Sequence, residues 1–289
     1  MNFHTYCLHC QSTSLVKLPK FDFAYLCKCQ DCGFVFSQRI PTLQDLQEHY
    51  STYGRNDYLS PVTITRYNEL LDTLEPYRKT NKLIDVGCGI GYFLEEAKKR
   101  GWEVYGTEYT DEAVAICHAK GITMDKGALN PENYTDGEFD IVTSFEVIEH
   151  INNPIEEIKH FHKLLRQGGA TYITTPNFNA LERYLLQEKY NVISYPEHLS
   201  YYTKTTLNAL MTKLGFTPKK VQTTGISLSR LKNQINHAAE KQIEKDNTDD
   251  KIRNLTEEKG WAIFAKHTIN SLLDFTATGN ALKALYIKK

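Results

Sequence analysis

Apolar residues between positions 82 and 176 alternate between two periods. Leu83, Ile84 and Val86 form a short run that suits a strand buried on both faces. From Tyr92 the spacing turns helical, with Phe93, Leu94 and Ala97 on one side, which predicts a helix to residue 100. The exchange recurs downstream. Strands are expected over residues 102–107, 121–124, 139–145 and 170–175, with helices over 111–120 and 154–165 between them. Pro154 suits a first helical turn. A helix over 204–214, a sixth strand over 217–224 and a last strand over 279–287 follow. Such β-α alternation predicts a parallel sheet covered on both faces.

The flanks read differently. Residues 14–17, 21–26 and 34–36 suggest three short strands, and 41–80 turn polar and helical, with Tyr67, Leu70, Leu71 and Leu74 at helical period. Tyr50, Tyr53 and Tyr58 either line a pocket from a lid or pack an aromatic-rich connector. A charge-rich helical insertion covers about 226–275. Three parts result: 1–40, a helical connector or lid over 41–80, and an α/β domain over 81–289.

A net charge of −1 over 289 residues gives no general attraction to nucleic acid or an anionic membrane. No apolar run approaches the roughly 18 residues of a membrane span, and the N-terminus shows no signal-peptide core, so a cytoplasmic protein is expected. Nothing in the sequence selects an oligomeric state.

Five of the seven cysteines fall within the first 32 residues. Cys7-Leu-His-Cys10 and Cys29-Gln-Asp-Cys32 are two C-x-x-C knuckles eighteen residues apart, the spacing of a zinc ribbon. Cys7, Cys10, Cys29 and Cys32 are therefore expected to hold a structural Zn2+. Cys27 is the surplus thiol and the alternative to Cys29; only Cys29 completes the second knuckle.

The chemistry centres on Asp85-Val-Gly87-Cys88-Gly89-Ile-Gly91, between the first strand of the α/β region and its helix. Glycines there let a ligand approach the main chain closely. The spacing is G-x-G-x-G, not the G-x-G-x-x-G of dinucleotide sites, and Asp85 would repel a pyrophosphate but suit an ammonium or sulfonium group. Glu108 ends the next strand about twenty residues on, where a carboxylate can accept bonds from both ribose hydroxyls.

These residues, with 138–154 and 164–176, resemble the successive motifs of the class I S-adenosylmethionine (SAM) methyltransferases. The resemblance implies a Rossmann-like seven-stranded sheet, mostly parallel with the last strand antiparallel, and a small N-terminal zinc ribbon. It implies SAM as cofactor, held by Asp85, Gly87, Cys88, Gly89, Gly91, Glu108, Tyr109, Ser144, Phe145 and Glu146. A ribbon ending in Cys-Gly-Phe-Val-Phe looks similar to that of a subset associated with sugar modification in polysaccharide or natural-product pathways. Tyr195-Pro-Glu197-His198, followed by Tyr201-Tyr202, resembles the active-site segment of zinc-containing sugar C-methyltransferases, with Pro196 where a histidine is usual.

The expected activity is methyl transfer to a small molecule, most plausibly a sugar or sugar nucleotide. His198 is the candidate general base, with Glu197 and Tyr195 positioning the acceptor. Glu146, Glu149 and His150 sit at i, i+3 and i+4, so they could also form half of a divalent metal site with His198 as a later ligand, as in some ubiquinone-pathway and small-RNA methyltransferases. Alternatives are an RNA methyltransferase reading substrate through the ribbon, an O-methyltransferase like those of the ubiquinone pathway, and a non-enzymatic zinc-binding assembly module.

Overall fold

The computed structural model describes residues 2–42, 44–46, 59–226 and 260–289. Tyr50, Tyr53 and Tyr58, and the insertion between 227 and 259, lie outside the described residues. The ribbon contributes β1 (Asn2–Phe3), β2 (Leu15–Lys17), β3 (Leu26–Cys29), β4 (Val35–Ser37) and β5 (Arg39–Ile40). The expected strand over 21–26 is instead a 3₁₀ turn, Pro19–Ala24, which Tyr25 ends in the left-handed conformation at φ 56°. Pro19 sets its helical φ and lacks a donor for a ladder. The strand begins only at Leu26.

Helix α1 (Pro61–Leu74) starts where Ser60 accepts the Thr63 N–H and Pro61 takes the first turn. It packs on α2 (Tyr92–Lys99) through Tyr67 against Phe93. The sheet is built from β6 (Lys82–Val86), β7 (Glu103–Glu108), β8 (Thr123–Lys126), β9 (Phe139–Phe145), β10 (Leu165–Pro176), β12 (Phe216–Thr224) and β13 (Ala281–Lys288). Between them lie α3 (Asp111–Ala119), α4 (Pro154–Leu164), α5 (Leu181–Leu186), the two-residue β11 (Ser200–Tyr201), α6 (Lys204–Lys213) and α7 (Gly260–Phe275).

The order is β12-β13-β10-β9-β6-β7-β8. Strands β8, β7, β6, β9 and β10 run parallel, and β13 is antiparallel to both neighbours, β10 and β12. The sheet thus has seven strands with the last one reversed, as expected. Apolar residues at the centre of β6 and β9 are fully buried on both faces: Leu83 and Ile141 join the cluster with α1 and α2, Ile84 and Val142 the cluster with α4 and α6.

The expected boundaries shift most at β8 and β10. β8 begins at Thr123 and not at 121, because Gly121 and Ile122 close the end of α3 through bonds to His118 and Cys117. β10 extends back to Leu165, with a register break between Leu165 and Ala170 where Gly168 takes φ +71°.

The N-terminal edge of the sheet is locked by Asp140. Its carboxylate accepts the Lys79 and Asn81 N–H groups at 2.7 and 2.8 Å and pairs with Arg166. Asp140 is completely buried. Removing one partner of such a pair leaves the other charge and two N–H groups uncompensated, so Asp140→Ala should cost about 3 kcal/mol, measured by denaturant unfolding.

Candidate active site

The chemistry-bearing residues gather at the carboxyl ends of the parallel strands, where chain order reverses between β6 and β9, the usual crevice of an open α/β sheet. Asp85, near the end of β6, is buried and accepts the Thr143 hydroxyl at 2.7 Å. Burial pushes its carboxyl up to about 7, against the lowering effect of that hydroxyl. Gly87, Gly89 and Gly91 all take positive φ, at +72°, +55° and +75°. A Cβ on Gly87 would strike Val147, and one on Gly91 would strike Ile122 and Cys117. Gly89 by contrast faces open space, with nothing within 4 Å of its Cβ position. That opening is the cradle a cofactor would fill.

The turn is tied to β7. Cys88 N–H donates to Thr107 O at 3.0 Å, and Gly87 N–H to the Thr107 hydroxyl at 3.3 Å. Glu108 Oε2 accepts the Gly89 N–H at 3.1 Å, while Oε1 accepts those of Tyr109 and Thr110 at 2.8 and 3.3 Å. Its carboxylate is therefore oriented by backbone before any ligand arrives. Tyr109 is 66% exposed at the rim. Ser144 is buried on β9 with its hydroxyl unpartnered among the described residues. Phe145 stacks edge-on against Phe93 at 5.0 Å, with Tyr67 at 6.3 Å, so it walls the crevice from the α1 side. Glu146 takes φ +53° and its N–H bonds Thr174 O at 3.0 Å. Thr107, Thr143 and Tyr67 escape a reading of the sequence because nothing local distinguishes them from core residues.

Beyond β9 a second group converges. One ligand atom each from Glu149, His150 and His198 lie within 4.8 Å of one another. His150 Nδ1 is 2.6 Å from Glu197 O, and His198 Nδ1 is 2.6 Å from Val192 O. A ring whose Nδ1–H donates to a carbonyl presents Nε2 as its lone-pair nitrogen. Glu149 is buried and accepts the Thr175 hydroxyl at 2.9 Å. Burial, with the Glu146 charge second, pushes its carboxyl up to about 8. Acceptor atoms converging in this way fit a proton or a divalent cation.

The three residues expected from the 195–198 segment separate. His198 joins the Glu149–His150 group, Glu197 contributes its carbonyl to His150, and Tyr195 packs against the ribbon. The Tyr195 ring lies 5.0 Å from Tyr25 and 5.1 Å from the Arg39 guanidinium. Val192 O, a backbone atom with no sequence signature, orients the His198 ring.

In the ribbon, Cys7, Cys10, Cys29 and Cys32 bring their sulfurs within 4.8 Å of one another. Cys7 and Cys32 are 3.6 Å apart, Cys10 and Cys29 3.5 Å. Burial raises the Cys29 thiol, but the N–H groups of Cys32 and Asp31 outweigh it and bring it down to about 7. Four thiols and no open position fit a structural Zn2+. Cys27 lies outside this group, its thiol directed at Phe36 O and pushed up to about 12 by burial. Protein purified without added zinc should therefore contain about one ion per chain by elemental analysis, and a Cys29→Ser variant should lose it while Cys27→Ser retains it.

A family model described as a methyltransferase domain matches residues 60–221. The ubiquinone biosynthesis O-methyltransferase of Pseudomonas aeruginosa is 30% identical over 105 residues, 34% of this chain and 45% of that protein. The enzyme of the same name from Roseobacter denitrificans is 30% identical over 131 residues, 43% of this chain and 52% of that protein. The chain spans about half the length of these curated relatives. Among solved structures, a SAM-dependent methyltransferase from Archaeoglobus fulgidus aligns with TM-score 0.52 at 16% identity, over 78% of this chain and 93% of that one. Phosphoethanolamine N-methyltransferase 2 of Haemonchus contortus, solved with S-adenosyl-L-methionine, aligns with TM-score 0.51 at 18% identity, over 88% and 61%. These likenesses concern the fold. Among the described residues no helix is long and apolar enough to cross a membrane. With the family model covering more than half of the chain on a sheet of the class I order, the protein belongs to the methyltransferase domain family.

Proposed function

We propose that the protein transfers a methyl group from SAM to a hydroxyl of a small molecule, a sugar or sugar nucleotide. The observation that carries this is the convergence of Glu149, His150 and His198 just beyond β9, at the same end of the sheet as the glycine turn that follows β6. SAM supplies a methyl group on a sulfonium. What the chain must do is hold donor and acceptor in line and take up one proton. Asp85 and Glu108 hold the cofactor, the first near its positive charge and the second at the ribose hydroxyls. Gly87, Cys88, Gly89 and Gly91 allow close approach, and Tyr109, Ser144, Phe145 and Glu146 bound the pocket. His198 Nε2 accepts the acceptor's proton, because the Val192 carbonyl keeps the other ring nitrogen protonated.

A sugar acceptor is favoured by the resemblance of residues 7–36 and 195–202 to the sugar-modifying subset. A second reading places a divalent cation between Glu149, His150 and His198, lowering the pKa of an acceptor hydroxyl. It is supported by the three ligand atoms gathered there and by the similarity to ubiquinone biosynthesis O-methyltransferases. The two readings differ in one result: only the second predicts that Mn2+ or Mg2+ binds and that His150→Ala removes that binding.

Screening of cell extract for methylated products by mass spectrometry supplies the acceptor. Glu108→Ala should then weaken cofactor binding by about 2 kcal/mol, roughly 30-fold. His198→Ala should leave the affinity for S-adenosylhomocysteine (SAH), measured by calorimetry, unchanged and abolish turnover. Retained turnover in that variant removes His198 from the chemistry; no affinity for either SAM or SAH removes the whole proposal.

Cofactor affinity should also depend on pH. In the cofactor-free protein the Asp85 carboxyl is pushed up to about 7, so below that pH it is mostly protonated and neutral. A cationic ligand favours its ionised form, so binding releases a proton. The SAM affinity should rise roughly tenfold per pH unit below about 7 and level off above it. Asp85→Asn should weaken binding and flatten this dependence; a flat profile in the parent protein contradicts the role given to Asp85.

A further inference from the structure

We propose that the zinc ribbon is the bed on which the acceptor-side segment is laid, so that metal loading of the ribbon sets the position of His198 without altering the cofactor pocket. The inference rests on the acceptor-side role given to His198 above.

The ribbon's sheet has four strands in the order β11-β4-β3-β2, and β11 comes from residues 200–201, far along the chain. Ser200 pairs with Phe36 and Tyr201 with Val35. Ser37 N–H donates to Leu199 O at 2.8 Å. His198 is therefore next to the first residue held by the ribbon's backbone. Side chains reinforce the seam. Tyr202 packs on Phe34 at 5.3 Å, and the Arg39 guanidinium lies 5.1 Å from both the Tyr25 and Tyr195 rings while donating to Asp45. On its other side the same segment meets the end of β9: Leu199 N–H donates to Glu149 O at 2.7 Å and Ser200 Oγ to Ile151 O at 3.2 Å. A two-residue strand cannot hold its own position, so it is set by these neighbours together with the Asn177–Phe178 backbone, where the Phe178 N–H donates to Tyr202 O at 2.7 Å.

The cysteines that would hold the metal are a few residues from this seam. β3 ends at Cys29, the knuckle closes at Cys32, Gly33 turns at φ +74°, and Val35 opens β4. The second knuckle is thus the turn of the hairpin whose outer strand carries β11. Strands of three and four residues give this hairpin only a short ladder of its own, and its buried side chains Phe34 and Phe36 belong to the core of the α/β domain, so register at the knuckle end is left to a bound Zn2+. The glycine turn, by contrast, takes its hydrogen bonds from Thr107 and Glu108 on β7. Loosening the hairpin should displace His198 and leave that turn as it is. Arg39 acts here as a positioning residue, through Tyr195.

The test uses the full chain labelled with 15N-histidine, in buffer freed of divalent cations over a chelating resin before the protein is added, with the ribbon's zinc content checked by elemental analysis in every sample. Imidazole spectra are compared for the parent, Cys32→Ser, which empties the ribbon, and Arg39→Gln, which keeps its zinc; His198→Ala and His150→Ala assign the signals. Both variants should shift the His198 imidazole signals while SAH affinity by calorimetry stays within about twofold of the parent. Unchanged His198 signals in both variants overturn the inference. So does loss of SAH binding in Cys32→Ser, which would make the ribbon a stabiliser of the whole chain. If the parent itself binds no SAH, the methyltransferase reading fails, and that outcome is separate from either of these.

Discussion

Hydrogen bonding of β6 on both edges is the constraint on which the rest depends. Because β6 pairs in parallel with β7 on one side and β9 on the other, its carboxyl end emerges at the middle of the sheet. Its helix α2 and the crossover from β9 then diverge to opposite sides, and a crevice opens between them. Asp85 is buried there with the Thr143 hydroxyl as partner, Thr107 and Glu108 brace the turn from β7, and Glu146 to His150 leave β9 on the far lip. Backbone pairing places all these groups before any of them does chemistry.

Charge at this edge divides into two kinds. Glu108 has both oxygens held by backbone N–H groups, which orients its carboxylate at the rim. Asp85 and Glu149 lie buried, and desolvation raises both, to about 7 and about 8. Acids in such surroundings gain most from a positive neighbour. One of these acids thus lies near the end of β6 beside the glycine turn, and the other follows β9. A methyl transfer that carries a cationic donor in and a proton away has use for both.

The ribbon shows how a small module becomes part of a site. Its knuckles bring four sulfurs together, and its hairpin offers an open strand edge at β4. An open edge invites pairing. Here the chain itself fills it with residues 200–201, and the return path carries His198 to Glu149 and His150. Tyr195 and His198 are three residues apart, yet one faces the ribbon rings and the other the acidic lip.

Sequence alone determined the parts whose signal is local. The change of period from strand to helix marks β6 through β10, since burial on both faces of a strand and on one face of a helix leaves different apolar spacings. The G-x-G-x-G spacing between strand and helix marks the glycine turn, and the two C-x-x-C knuckles mark the four cysteines whose sulfurs meet. Only tertiary structure decided what depends on contacts between distant segments. The extra turn at Pro19–Ala24, the partnership of Glu149 with His198, the Val192 carbonyl on the imidazole and the seam between β4 and β11 leave no periodic trace. Backbone carbonyls and edge strands are chemically alike at every position, so only the folded chain selects which of them meet.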